Sequence, residues 1–128
     1  MTKASILIPA FNSEDTIESL VDEVNEKLQN DEIEFIIIND YSTDDTHQKC
    51  LQIQKKLSTK VTYIKLKKNY GEHNAVMAGL KYVKGQKIFI KGCDPENLRE
   101  YLVTPQKIHE INGMDEITIE RLFPEISQ

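Results

Sequence analysis

Asp40 is the residue around which this sequence organises itself. It follows the run Phe35-Ile36-Ile37-Ile38-Asn39 within "EFIIINDYSTDDT", Glu34 to Thr46. Four bulky apolar residues in succession suit a strand buried on both faces, as in a parallel sheet. A carboxylate at the end of such a strand stands where open parallel sheets hold their ligands. The competing reading is an acid that only favours a strand-to-helix turn. Other side chains with chemical potential also follow apolar runs. Pro9-Ala10-Phe11-Asn12 comes after Ser5–Ile8, and Lys68-Asn69 lies in "LKKNYGEHNAVMAGL". Asp94, in "KGCDPEN", comes after Ile88-Phe89-Ile90. Phe11 reads equally as a core plug or as a ring set against a bound ligand, and His73 as a polar residue at a helix start. Ser42, Thr43, Asp44 and Asp45 read as helix-capping and first-turn residues.

Positioning these groups falls to a regular alternation of elements. Ser5–Ile8 predicts a first strand stopped by Pro9. Ile17, Leu20, Val21, Val24 and Leu28 at helical spacing predict a helix, capped by Asn12 or Ser13. After the strand Phe35–Ile38, Ser42 or Thr43 caps a second helix whose inner face is Cys50, Ile53 and Leu57. Val61–Leu66 predicts a third strand and Ala75–Lys84 a third helix, on which Gly79 permits close approach of a neighbour. Ile88–Ile90 is the fourth strand. The order β-α-β-α-β-α-β with short loops implies right-handed crossovers and a parallel sheet. A doubly wound arrangement predicts strand order 3-2-1-4. Beyond Gly92 the regularity fades, and 95–103 and 106–111 read as short helices.

The totals bound the function. At 128 residues, 39% hydrophobic and 29% charged, the chain suits one globular domain. Residues 1–91 hold 13 basic and 13 acidic side chains, whereas 92–128 hold 3 and 8, so the tail carries the whole net charge of −5. That distribution argues against a nucleic-acid-binding surface. No apolar run approaches the roughly 20 residues that span a bilayer, and no signal peptide follows Met1. Cys50 and Cys93 form no metal-like spacing, so reduced thiols and a cytoplasmic setting are expected. The division expected is 1–94 as the folded domain and 95–128 as an acidic, mostly helical tail.

Taken together, "PAFN", "NDYSTDD", "KKNYGEHNAVMAGL" and "KGCDPEN" resemble the N-terminal half of the family 2 glycosyltransferases. Those enzymes read like "PVYNEE", "VDDGSTDGT", "RNFGHNAAMNAGL" and "DADLQ". The subgroup most resembled transfers sugars from nucleotide sugars to polyprenyl phosphates. The likeness covers roughly residues 4 to 94 and implies a three-layer, Rossmann-like GT-A fold.

It also implies roles. Asp40 would accept a hydrogen bond from the nucleotide base, and Pro9, Ala10, Phe11 and Asn12 would line the same pocket. Lys68 and Asn69 would approach the nucleotide or its phosphates, and Asp94 would hold Mg²⁺ or Mn²⁺. The partner implied is a UDP- or GDP-sugar, with a homodimer or a membrane partner as further expectations. The sequence departs from the pattern in four places, the first being Ser13, which replaces the usual acid after the asparagine. Asn39 replaces the first acid of the pair, and Tyr41 replaces a turn glycine. Gly92-Cys93-Asp94 keeps only the last acid of the metal motif. The departures leave two readings: a metal-dependent sugar transferase, or a truncated, non-catalytic nucleotide-binding or regulatory module.

Overall fold

The computed structural model describes residues 2–28, 32–85, 87–91 and 100–103. Among these residues eight elements follow one another: β1 (Ala4–Ala10), α1 (Ile17–Lys27), β2 (Ile33–Asn39), α2 (Thr46–Lys56), β3 (Lys60–Lys65), α3 (Glu72–Leu80), β4 (Lys87–Lys91) and β5 (Glu100–Val103). The sheet runs β3-β2-β1-β4-β5, with the first four strands parallel and β5 antiparallel to β4. The expected order 3-2-1-4 is therefore present, with one strand added at its edge. Where the sequence reads 95–103 as a short helix, 100–103 is that added strand. Its Tyr-Leu-Val run has strand propensity, and pairing satisfies a β4 edge otherwise left open.

Two cores hold the layers. On one face α1 and α2 bury Ile17, Leu20, Val21, Val24, Cys50 and Ile53 against Ile6, Ile8, Phe35 and Ile37. On the other, α3 lays Ala75, Val76, Met77 and Leu80 over Leu7, Ile36, Ile38, Ile88 and Ile90. The unbroken apolar run 35–38 is thus divided residue by residue between two faces, which is why it does not alternate with polar residues. Gly79 makes the second contact possible, since a Cβ there would lie 2.6 Å from Cδ1 of Ile38.

Pro9 does not stop β1. It pairs with Ile38 inside the strand, and among the described residues β1 pairs with β4 through Ala4–Leu7. Pro9 therefore stands where no β4 partner calls on its missing N–H, a tolerated position for proline. The helix starts also differ from expectation. The N-cap positions are Thr16 and Asp45, neither with a side-chain cap bond, and α3 begins at Glu72 rather than Ala75.

Glu34 is a buried carboxylate the strand pattern hides. Its Oε2 accepts the Ser5 hydroxyl at 2.6 Å and the Lys84 N–H at 2.7 Å, while the Gly85 N–H donates to Ser5 Oγ at 2.8 Å. This clasp joins β1, β2 and the α3–β4 turn at the N-terminal ends of these two central strands.

Candidate functional site

The C-terminal ends of β1 and β2 hold most of the residues singled out by sequence. The Asp40 N–H donates to the Ala10 carbonyl at 2.8 Å, which carries the β1–β2 pairing one residue past the strand. The Asp40 side chain is only 3% exposed. Each of its oxygens accepts a backbone N–H, from Tyr70 at 2.8 Å and from Gly71 at 2.9 Å. Asp40 thus fastens the β3–α3 loop, including the neighbouring Lys68 and Asn69, to the end of β2. Gly71 adopts φ 97°, which a side chain there would resist.

The two loops after β1 and β2 are laced together by short polar side chains. The Asn12 N–H donates to Ser42 Oγ at 2.9 Å, and Asn12 Oδ1 accepts the Thr43 N–H at 2.8 Å. The Ser13 N–H donates to Thr46 Oγ1 at 2.8 Å, and the Glu14 N–H to Asp44 Oδ2 at 3.2 Å. Asp44 also accepts the N–H and hydroxyl of Thr46. Burial works against its ionisation, yet the bonds from Thr46 and Glu14 outweigh that and hold its carboxyl below the usual range. Asp44 is therefore a loop tie, while Asp45 holds the N-cap position of α2 that neither Ser42 nor Thr43 takes.

Asn39 points to the other face of the sheet. Its amide donates to the Tyr63 hydroxyl at 2.9 Å, and its Oδ1 accepts the Ser42 N–H at 3.0 Å. The Tyr63 hydroxyl also meets Nδ1 of His47 at 2.8 Å. Burial pushes Tyr63 up to about 12, so it stays a neutral hydroxyl able to serve both neighbours.

Pro9 and Ala10 are buried in β1, whereas Phe11 is 49% exposed, which excludes the core-plug reading. Tyr41 is 47% and Tyr70 45% exposed, and the Lys68 ammonium lies 5.2 Å from the centroid of the Tyr70 ring. Asn69 and Lys68 are both exposed. Three half-exposed rings thus belong to residues whose backbones meet at Asp40. Sequence reasoning noted Tyr41 only as a departure and passed over Tyr70. The signal for Tyr41 was a bulky residue where the turn calls for positive φ; nothing local pointed to Tyr70.

His73 sits in the first turn of α3, with both ring nitrogens buried and without a hydrogen-bond partner. Asp94 and Cys93 lie outside the described residues. Among the described residues no three His, Cys, Asp or Glu side chains converge as a metal ion requires.

Comparison with known proteins bears on what such a rim is for. The family model described as Glycosyl transferase family 2 matches residues 5–102. The chain belongs to this family. A family 2 relative, the undecaprenyl-phosphate 4-deoxy-4-formamido-L-arabinose transferase of Yersinia pestis bv. Antiqua (strain Angola), is 31% identical over 109 residues. That match takes in 84% of this chain and 33% of the relative, so the chain spans about a third of the curated relatives' length. The mannosyltransferase PcManGT from Pyrobaculum calidifontis, solved with GDP-Man and Mn²⁺, shares the fold with a TM-score of 0.67. It is 20% identical, over 72% of this chain and 27% of that one. S. aureus TarS 1-349 in complex with UDP gives a TM-score of 0.64 at 25% identity, over 73% and 28% of the two chains. The fold of this family 2 domain is therefore GT-A. No helix among its described residues is long and apolar enough to cross a membrane.

Proposed function

We propose that this family 2 domain binds the nucleoside diphosphate of a UDP- or GDP-sugar on the rim above β1 and β2, and takes part in moving the sugar to a polyprenyl-phosphate type of acceptor. The observation that carries the reading is the gathering of Phe11, Tyr41, Lys68, Asn69 and Tyr70 around the buried Asp40. Exposed rings suit the face of a base, and an ammonium beside them suits a diphosphate. Each Asp40 oxygen has one acceptor site left after its backbone bond, and the base N–H is assigned to one of them. Solved relatives of the same fold held GDP-Man or UDP, which supports the class of donor.

In the transfer itself, an acceptor oxygen forms a bond to the anomeric carbon as the bond to the diphosphate oxygen breaks, and the nucleoside diphosphate leaves with that electron pair. A phosphate acceptor is already an anion at neutral pH and needs no general base. In the second reading the domain binds nucleotide without turnover, as a regulatory or partner module. The single acid retained in Gly92-Cys93-Asp94 favours it.

Calorimetric titration with UDP, GDP and their sugars, with and without Mn²⁺, separates these readings. Binding that tightens with Mn²⁺ supports the transferase, binding indifferent to the metal supports the module, and no binding of any of them refutes both.

A further inference from the structure

Tyr41 combines two properties that the fold does not explain. Its backbone lies at φ 60°, the left-handed region that a side chain with a Cβ enters at a cost, and that glycine occupies freely. Its ring is nevertheless 47% exposed, so burial returns little for that cost. The conformation is imposed from both sides. Before Tyr41, the Asp40 N–H is held by Ala10 and the Asp40 carboxylate by Tyr70 and Gly71. After it, the Ser42 N–H and hydroxyl both bond to Asn39 Oδ1, at 3.0 and 2.7 Å. A turn pinned so closely tolerates the strain, and a glycine would serve it better as structure alone.

The ring's use therefore lies outside the fold. Phe11 follows the Ala10 that bonds to Asp40, and Tyr70 donates to the Asp40 carboxylate, so Tyr41 stands between the attachment points of two other half-exposed rings. We infer that Tyr41 is a ligand-contacting, affinity-determining residue whose ring packs against the base of the bound nucleoside diphosphate. The inference rests on the nucleotide reading above and adds a contact that a glycine at this turn cannot make. Stacking against an aromatic side chain is tolerant of base identity, so the contact serves uracil and guanine alike.

The test uses the full chain with Tyr41→Gly and Tyr41→Phe, titrated with UDP and GDP, alongside thermal melting. The glycine variant is expected to bind about ten-fold more weakly while its melting temperature holds or rises, because the strained turn is relieved. The phenylalanine variant should bind like the parent chain. The sequence has five tyrosines and no tryptophan, so the emission is that of tyrosine, and the difference between the parent chain and Tyr41→Phe isolates the share of Tyr41. Nucleotide quenching of that emission should shrink in Tyr41→Phe. Parent-like affinity in Tyr41→Gly overturns the inference and leaves the nucleotide reading standing. Weaker binding accompanied by a lower melting temperature also overturns it, since the ring would then be structural. A parent chain that binds neither nucleotide overturns both.

Discussion

Asp40 shows how one carboxylate can build a site before it touches any ligand. Both oxygens are committed to backbone N–H groups of the loop that carries Lys68 and Asn69. Asp40→Asn keeps the shape but turns an amide NH₂ towards one of those donors. The expected result is a loss of about 1–3 kcal/mol in urea unfolding, with weaker UDP or GDP binding as the loop shifts. Unchanged stability would mean that the two bonds do not form in solution. Tyr63 offers a test on the opposite face. Its folded value of about 12 lies above the ordinary value of 10.0. The neutral hydroxyl is thus the folded state's preferred form. Its contribution to stability is complete below pH 10 and is lost as pH rises through about 12. Absorbance titration should find a late-ionising tyrosine component that is absent from Tyr63→Phe; a parent chain without that component would contradict the buried network.

Among the elements, glycines mark where helices and turns meet the sheet, and they differ in a testable way. A Cβ on Gly79 would meet the tip of the Ile38 side chain at 2.6 Å, which can rotate aside. A Cβ on Gly85 would meet the backbone of Ala4 at 2.6 Å and of Ser5 at 2.7 Å, beside the Glu34 clasp. Backbone cannot repack as a side chain does, so Gly85→Ala should destabilise more than Gly79→Ala, with overpacking typically costing about 1–3 kcal/mol. Equal chemical melts for the two would show that the α3–β4 turn yields. These contrasts also mark what was legible beforehand. The apolar runs at 5–8, 35–38 and 88–90 and the spacing of Ile17, Leu20, Val21 and Val24 announced strands and helix because burial alone shapes them. Glu34 was missed because a charged residue beside an apolar run reads as solvent-facing, and only three-dimensional neighbours reveal its partners. The loop ties of Asn12, Ser42 and Asp44 were misread as caps because the same residue types satisfy either geometry. Pro9 misled for a related reason: its effect depends on which neighbour would have needed its N–H.

For the whole molecule, the fifth strand decides whether the sheet has a safe edge. In the order 3-2-1-4 alone, the outer side of β4 would have no partner strand. The backbone of β5 supplies one, with Phe89 opposite Leu102 and Ile90 opposite Tyr101. Phe89 remains 36% exposed, so uncovering β4 would present unpaired N–H and C=O groups beside an exposed ring. Such edges recruit other strands. In an antiparallel pair, neighbouring residues alternate between directing their N–H at the partner strand and away from it. Proline placed separately at Tyr101 and Leu102 should therefore have unequal effects. The variant that removes an N–H aimed at β4 should lose about 1–3 kcal/mol and associate with rising concentration in sedimentation velocity. Its neighbour should stay closer to the parent chain. If both variants melt and sediment like the parent, β5 does not pair with β4 in solution, and the exposed side of β4 becomes the surface at which a second copy or another segment must dock.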